Sequence, residues 1–357
     1  GDASFLQGPT ERTQKLWKVC QQTLNEERDH GGVLGIDTHT ISTITSHGPG
    51  YLQKDLEQIV GFQTDQPLKR GIKPFGGWRV VKQACAENGV ELDPAVVEIC
   101  EKYRKTHNEG VFDAYTDDIR KLRKTGLITG LPDNYARGRI IGDYRRLALY
   151  GTDALIAAKK ADQKALNGPM TAEIIQLREE ISEQIRALGM IQEMAASYGF
   201  DVSRPAETAQ EAIQWTYFAY LAAIKEQDGA AMSLGNVSSF FDIYLERDLA
   251  AGRITEAEAQ ELVDHFVMKL RLVRHLRMDE YNQLFSGDPT WVTEAIGGVW
   301  QNGQHKITRT AYRFLQTLYN LGPAPEPNLT ILWSEKLPEP FKAFAAQVSI
   351  DTSSLQY

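Results

Sequence analysis

The chain has 357 residues, of which 42% are hydrophobic and 24% are charged, and its formal net charge at pH 7 is −8. This length and composition support a large globular core, whereas the acidic balance argues against nucleic-acid binding, which needs clustered positive charge. No apolar run approaches the roughly 18 residues of a membrane span. Cys20, Cys85 and Cys100 stand far apart, which favours a reducing, cytoplasmic compartment and predicts neither a disulfide framework nor a metal site.

Both ends of the chain have the character of cut ends. The sequence begins with Gly1 instead of methionine, and it stops at Tyr357 directly after a strongly patterned segment. A domain normally ends in a segment that can remain in water. We therefore expect the chain to be part of a longer polypeptide.

The first clear helix signal covers Thr116 to Lys124 and is ended by Gly126. A basic segment follows from Thr129 to Arg146, with only two aspartates to balance its arginines. Its four arginines are Arg137, Arg139, Arg145 and Arg146. A guanidinium matches a carboxylate or phosphate in a bidentate way, so the segment is a candidate anion site. The alternative is ordinary ion pairing on a helix surface, for example between Arg139 and Asp143, four residues apart.

Three longer helices follow in chain order. Between Thr171 and Tyr198 apolar residues recur about every 3.5 positions, and Gly199 is placed as a C-terminal cap. We interpret this segment as a core-facing helix of a large domain in preference to a coiled coil. Capping-box patterns then open two helices, one at Thr208 with Glu211 and one at Thr255 with Glu258.

The helix after Thr255 is predicted to carry one apolar face from Leu262 through Val273 to Leu276. Strand signals are few and occur near the end of the chain. Leu329 to Trp333 is the clearest, and Val348 to Ile350 is another, with a helix-like stretch between them. Strand, helix and strand in this order predict a parallel α/β unit that follows an all-helical body.

Three further motifs are candidate functional segments. Ser42 to Gly50 places His47 among hydroxyls and glycines, Asp228 to Gly235 is rich in small residues, and Phe285 to Trp291 is a turn between two large aromatic residues. Each has a structural alternative: a hydrogen-bonded histidine, a helix end, and a packed loop. The sequence contains no P-loop, dinucleotide-binding glycine motif, HExxH motif or convincing Ser-His-Asp set. These patterns alone indicate a large helix-rich domain with an arginine-rich anion site.

The order of residues in these segments resembles the pyruvate formate-lyase family of glycyl radical enzymes over nearly the whole chain. The similarity is to the N-terminal half of the family's longer polypeptide. The runs that carry it are Ser42–His47, Pro67–Arg70, Tyr103–Asn108, Gly110–Asp113, Thr129–Arg146, Gln214–Tyr217, Gly229–Ser233, Glu246–Leu249, Phe285–Pro289, Pro325–Pro327 and Ile331–Lys336.

The resemblance implies a fold and a reaction. The fold would be α/β, with residues 1–357 forming the N-terminal, helix-rich half of a ten-stranded α/β barrel that is built from two half-barrels in a homodimer. The reaction would convert pyruvate and coenzyme A reversibly to acetyl-CoA and formate. It would use no metal, but a glycyl radical installed by an activating enzyme and passed to a pair of adjacent cysteines.

The resemblance also implies roles for individual residues. Arg139 would bind the pyruvate carboxylate. The walls of the pyruvate pocket would be Ala230, Phe285 and Trp291. The coenzyme A site would contain Ser46, His47, Phe112, Arg123 and Tyr135, with Arg274 and Arg277 as further candidates.

The chain departs from the family pattern in one respect, because its three cysteines include no adjacent pair and it contains no radical-bearing glycine loop. We therefore expect no catalytic residue in this chain and no activity from it alone. Two alternatives stay open among enzymes: a sister lyase acting on 2-oxobutanoate and a diol dehydratase. A third alternative is a non-catalytic truncated paralogue that acts as a partner subunit. The arginine segment favours a 2-oxo acid, since a diol has no carboxylate to bind.

Overall fold

A computed structural model describes residues 2–104, 113–128, 142–227, 232–285 and 287–357, with the side chain of residue 285 excepted. Its long helices are α1 (Glu11–Asp29), α2 (Trp78–Glu87), α5 (Arg145–Ala165), α6 (Ala172–Ser197), α7 (Ala209–Glu226), α8 (Val237–Ala250), α9 (Glu256–Arg271), α11 (Arg309–Asn320) and α12 (Glu339–Thr352). Its short helices are α3 (Pro94–Glu98), which continues as a π-turn over Ile99–Tyr103, α4 (Asp117–Lys124) and α10 (Asp279–Phe285).

The strands of the described residues form two parallel sheets. One pairs β1 (Ile36–Ile41) with β2 (Arg70–Ile72). The other contains β3 (Ser233–Gly235), β4 (Thr293–Gly297), β5 (Asn328–Leu332) and β6 (Leu355–Gln356), in that order. All of its pairings are parallel. Helices connect the successive strands of this second sheet, which is the connection typical of α/β folds.

Helix α7 is the centre of the main hydrophobic core. Trp215, Tyr217, Phe218 and Leu221 on this helix are all 0% exposed. Buried residues occur on every side of this helix, so protein encloses it and it has no solvent-facing polar side. Tyr217 remains satisfied at this depth, since its hydroxyl donates to the carbonyl of Gly61 at 2.9 Å.

Several sequence predictions are confirmed. Helix α4 begins after Thr116, whose hydroxyl accepts the amide of Ile119. Helix α6 ends before Gly199, which has the positive φ of 86° expected of a C-terminal cap. The capping box at Thr255 is complete, with its hydroxyl bonded to the amide of Glu258 and the Glu258 carboxylate bonded to the Thr255 amide. The predicted strand at Leu329 is β5.

The prediction of a strand at Val348 to Ile350 is wrong, because these residues lie in α12. Their β-branched alternation is typical of a strand, but Val348 shares a buried helix face with Phe341 and Ala345. The second strand of the unit is β6, which pairs in parallel with β5. The strand, helix, strand order is therefore correct. The prediction of an all-helical body before this unit is also wrong, because strands β1 to β4 precede it. These strands have 3 to 6 residues each, which is too short to give a periodic signal in the sequence.

Three helix predictions need correction. Helix α9 ends at Arg271, so Val273 and Leu276 follow it, although both are buried. Helix α6 does not face the core along its length. Met194 and Ala195 are its buried residues, whereas Ile175 and Leu177 are 45% and 38% exposed.

The second predicted capping box, at Thr208, is only half formed. The hydroxyl of Thr208 accepts the amide of Glu211, but the Glu211 carboxylate binds the amide of Glu207 and the guanidinium of Arg204. Tertiary contact with Arg204 therefore takes the carboxylate away from the local motif. None of the helices that the structure describes combines the length and apolarity needed to cross a membrane.

Candidate active site

The loop that leads from α10 into β4 is organised around Thr290. The Thr290 hydroxyl donates to Glu326 Oε1 at 2.5 Å, so the Tyr220 hydroxyl, 2.9 Å away, donates to Thr290. The backbone carbonyl of Thr290 accepts the amide of Met232 at 3.2 Å. Thr290 and Tyr220 are both 0% exposed. A fully buried hydroxyl that both donates and accepts a hydrogen bond fixes the local geometry of this loop.

Three of the sequence-predicted segments meet at this point. Tyr144, at the end of the arginine-rich segment, packs edge-to-face on Tyr220 with ring centroids 5.7 Å apart. The backbone of Met232, within the small-residue segment, donates its amide to the Thr290 carbonyl and accepts the amide of Thr293 at 3.0 Å. The loop from residue 287 to 291 contributes Thr290 itself. Residues 129–146, 228–235 and 285–291 are distant in sequence, yet their described parts converge on one buried centre.

Trp291 is the predicted pocket residue whose position the structure gives. Its backbone has φ of 49°, in the left-handed region that bulky residues rarely adopt. Its indole is half-buried and lies beside Arg277, with 5.8 Å between the guanidinium carbon and the ring centroid. Arg277 donates to the carbonyls of Gly287 and Pro289 at 3.3 Å each. Arg277 is thus part of the Trp291 loop.

Arg274 belongs to a different group, which we call the arginine–carboxylate cluster (Glu27, Arg70, Arg274 and Asp288). Arg70 donates to Glu27 Oε1 at 2.6 Å and to the two oxygens of Asp288 at 2.6 and 3.0 Å. Arg274 donates to Glu27 Oε2 at 3.1 and 3.2 Å. Burial opposes the charge of Arg70, but Asp288 and Glu27 outweigh it, so the pKa of Arg70 lies above its usual value. Glu27, Arg274 and Asp288 of this cluster line a cleft of about 610 Å³.

His47 and Ser46 lie in a second polar group beside Asp37 of β1. His47 Nε2 is 2.8 Å from Asp37 Oδ2, and its Nδ1 is 3.1 Å from the Ser46 hydroxyl. Burial lowers the pKa of His47, and the bond to Asp37 only partly opposes this effect. A neutral imidazole must then carry its proton on Nε2 to donate to Asp37, which leaves Nδ1 to accept from Ser46.

The line of Ser46, His47 and Asp37 has the residue types of a catalytic triad but not its function. Ser46 Oγ accepts the backbone amide of Thr43 at 2.9 Å and lies 3.2 Å from the Thr43 carbonyl. This is a local hydroxyl–backbone turn. Because the serine is tied into its own loop, the arrangement orients His47 and does not present a nucleophile.

Lys225 lies close to this group, at the end of α7. It is 1% exposed, and no carboxylate oxygen of the described residues lies within the 4.0 Å of an ion pair from its ammonium group. Burial, together with the positive charge of Lys73, lowers the pKa of Lys225 to about 8. We call Lys225, His47, Asp37 and Ser46 the lysine–histidine cluster.

The two clusters lie on opposite faces of the β1–β2 sheet. Arg70 and Gly71 are consecutive in β2, so their side-chain positions point to opposite faces. Arg70 meets Glu27 and Asp288. A Cβ at Gly71 would instead lie 3.7 Å from His47 Cε1 and 3.4 Å from the Ser42 side chain. The structure therefore separates Arg274 from Ser46 and His47, and it places Arg277 at the Trp291 loop.

The other predicted site residues give less geometry. Arg123 lies on α4, outside both clusters. Arg139, Ala230, Phe112 and Tyr135 lie outside the described residues, as does the side chain of Phe285, and their roles stay predictions. Within the part of the chain that the structure describes, no three His, Cys, Asp or Glu side chains group as a metal site.

No sequence pattern singles out the side chains of Thr290, Glu326, Lys225 or Asp37. Glu326 lies in the Pro325–Pro327 run, and Lys225 lies in the last turn of an apolar helix. The signal that could have identified them is a charged residue next to an apolar segment. Burial raises the pKa of Cys20 to about 12 and that of Cys85 to about 11, which keeps both as unreactive thiols.

Comparisons with known proteins agree on one family. A family model described as pyruvate formate lyase-like matches residues 1–357. A formate acetyltransferase of Haemophilus influenzae is 62% identical over 362 aligned residues, which cover 100% of this chain and 47% of that protein. The chain thus spans about half the length of this relative.

Solved structures with similar folds also match over about half of their length. The glycerol-bound B12-independent glycerol dehydratase from Clostridium butyricum has a TM-score of 0.73 and 19% identity, covering 97% of this chain and 50% of that one. A glycyl radical enzyme from Archaeoglobus fulgidus has a TM-score of 0.67 and 19% identity, covering 95% and 50%. At this identity the similarity shows the fold, and it agrees with the expected helix-rich α/β class.

Proposed function

Because this chain belongs to the pyruvate formate lyase-like family of glycyl radical enzymes, we propose that it is the N-terminal part of a formate C-acetyltransferase. The complete enzyme would convert pyruvate and coenzyme A reversibly to acetyl-CoA and formate. Residues 1–357 would supply the first half of its barrel and one side of the substrate pocket.

The observation that supports this proposal most directly is the convergence at Thr290. The three segments predicted to hold Arg139, Ala230 and Trp291 are the three whose described ends meet there. Distant segments that share one buried centre are typical of a substrate pocket assembled at the ends of parallel strands. A packed surface loop would not bring all three together.

The proposed roles follow from the chemistry of these residues. Arg139 would bind the carboxylate of pyruvate with its guanidinium fork, and the indole of Trp291 would form an apolar wall that excludes water. His47 and Ser46 would face coenzyme A, with the imidazole held in one tautomer by Asp37. Orientation of both substrates is what these residues contribute, since the chain holds no adjacent thiols.

Other properties of the complete enzyme are part of the same proposal. It would be a cytoplasmic homodimer that needs a radical-generating activating enzyme and no metal. The glycyl radical and the cysteine pair would come from outside residues 1–357. This polypeptide alone would then bind substrate without turning it over.

Substitution of Arg139 tests the proposal. In a full-length polypeptide that carries this sequence, Arg139→Lys keeps the charge but loses the bidentate geometry. We expect kcat/KM for pyruvate to fall about 10- to 100-fold, mainly through KM, with KM for coenzyme A unchanged. The assay is exchange of labelled formate into pyruvate after anaerobic activation.

Arg145→Lys is the matched control. Arg145 donates to Asp143 at 2.7 and 2.9 Å on an exposed surface, so its replacement should leave pyruvate kinetics unchanged. Equal effects of the two substitutions would contradict the role of Arg139. A second assay with 2-oxobutanoate separates the two 2-oxo acids, because one methylene changes specificity by only about 10- to 200-fold. Faster turnover of 2-oxobutanoate than of pyruvate would show that 2-oxobutanoate is the preferred substrate.

A further inference from the structure

Trp291 has a backbone conformation that needs support from its surroundings. With φ of 49°, this bulky residue lies in the left-handed region, where the conformation persists only if neighbouring groups hold it. Its neighbours Thr290 and Val292 are both 0% exposed. The support must therefore come from buried contacts on each side of the tryptophan.

Glu326 provides those contacts. Its Oε1 accepts the Thr290 hydroxyl at 2.5 Å and the Val292 amide at 3.1 Å. One carboxyl oxygen thus bonds to both residues that flank Trp291. The acid is held in place in turn, because its own backbone carbonyl accepts Arg271 Nε at 3.1 Å.

The choice of an acid at this position is not explained by stability. Glu326 is 4% exposed, and its Oε2 has no well-aligned hydrogen-bond donor among the described residues. Burial raises the pKa of this carboxyl, although the Thr290 hydroxyl and the amides of Val292 and Trp291 oppose the rise. A buried carboxyl with an unpaired oxygen destabilises the fold relative to a fully bonded or apolar side chain. The oxygen that is bonded is the one that fixes the Trp291 loop.

A second buried acid, on a strand of the larger sheet, shows the difference. Glu294 of β4 is 0% exposed and accepts the amides of Val237 and Ser238 with its two oxygens, at 3.2 and 2.8 Å. Both oxygens are used, and the contact closes the first turn of α8. The burial of Glu294 is explained by its structural role alone, whereas Glu326 bonds to the two residues that flank the predicted pocket residue Trp291.

We propose that Glu326 is a positioning residue that sets the indole of Trp291 against the substrate and so controls which 2-oxo acid fits. The reference to substrate rests on the proposed function. The hydrogen-bond chain from Tyr220 through Thr290 to Glu326 transmits this constraint from helix α7 to the pocket wall.

Fluorine NMR of this chain, with fluorinated tryptophan at its six tryptophans, tests the positioning directly. Trp291→Phe assigns the resonance. Glu326→Met keeps the length of the side chain but removes the acceptor, and it should shift or broaden the Trp291 resonance while the other five stay in place. Glu326→Gln keeps a carbonyl oxygen and should restore the wild-type position. Glu294→Met is the matched control, which should lower thermal stability without moving the Trp291 signal.

Kinetics of the full-length polypeptide test the consequence. Glu326→Met should lower kcat/KM for pyruvate about 100-fold through misplacement of the indole, and it should change the preference between pyruvate and 2-oxobutanoate, with KM for coenzyme A unchanged. An unmoved Trp291 resonance in Glu326→Met, or an equal shift in Glu294→Met, overturns the positioning role. If the wild-type enzyme turns over neither acid while the resonance behaves as expected, the substrate assignment fails and the positioning of Trp291 stands.

Discussion

The two polar clusters that flank the β1–β2 sheet differ in whether their buried positive charge is paired with carboxylates. On one face, Arg70 is enclosed by the carboxylates of Glu27 and Asp288. On the other face, Lys225 is equally buried without a described carboxylate in ion-pair range. The first arrangement is a closed, mutually satisfied network. The second keeps a cation in place at a cost to stability, beside residues predicted to bind coenzyme A.

This difference shows why burial of charge alone does not identify a functional site. Buried ion pairs with complete hydrogen bonding are common structural elements, and removal of one partner is more damaging than the pair is stabilising. A buried lysine with no carboxylate of the described residues in ion-pair range has no such structural explanation. The comparison predicts that substitutions on the two faces change stability in opposite directions.

The largest effect is expected from Arg70→Met. The substitution leaves Glu27 and Asp288 buried without their main cation, which should lower the free energy of unfolding by about 3–5 kcal/mol. Urea denaturation followed by circular dichroism measures this change. Arg145→Met removes an exposed pair and should change stability by less than about 1 kcal/mol. A loss for Arg70→Met no larger than that of the control would remove the distinction between the two faces.

A stability gain is expected from Lys225→Met. Its pKa of about 8 compares with an ordinary value of 10.5, so the charged form at pH 7 costs the folded state about 3 kcal/mol. The apolar substitute should recover most of this energy. In the wild type the unfolded chain binds more protons between pH 8 and 10.5, so stability rises with pH over that window.

The difference between the Lys225→Met variant and the wild type should therefore shrink on going from pH 7 to pH 10.5. Lys82→Met is the control, because Lys82 is half exposed and forms a surface pair with Glu101. Destabilisation of the Lys225→Met variant at pH 7 would show that Lys225 is compensated after all, and the two faces would then be alike.

Local features of this fold can be predicted from the sequence far better than the composition of the two clusters can. The capping box at Thr255 depends on residues three apart, so it can be predicted from one turn of chain. Arg70 and Asp288 are 218 positions apart, and neither residue signals the other. The short strand β2 has no periodicity of its own, yet it decides which side chains fall on which face.

The candidate functional segments stand out in the sequence for a different reason. The arginine-rich segment, the small-residue segment and the aromatic turn are marked by residue order, and the family resemblance relates them to one pocket. Neither the residue order nor the family resemblance identifies Glu326 or Lys225, because the proposed importance of each depends on its buried surroundings in the folded chain. Val348 shows the converse error, where a local strand pattern is overridden by packing of α12.

The smallest expected effect is the loss of stability on acidification that His47 causes. Burial holds the pKa of His47 below its ordinary value, with Lys225 adding to this effect and Asp37 and Asp65 opposing it. The neutral ring is thus favoured in the fold, and the unfolded chain binds the extra proton below about pH 6.5. Stability should fall as pH drops from 7 to 5, and His47→Gln should remove that part of the slope.

His39→Gln is the control from the same strand, since His39 also meets a carboxylate but its side chain is 77% exposed. Asp37 adds a separate dependence at lower pH, because burial tends to raise its pKa but the amide of His39 and the ring of His47 bring it below 3.8. Urea midpoints at pH 7, 6 and 5 separate these contributions. If wild type and His47→Gln lose stability in parallel, His47 is charged in the fold, and the lysine–histidine cluster holds one more cation than its geometry indicates.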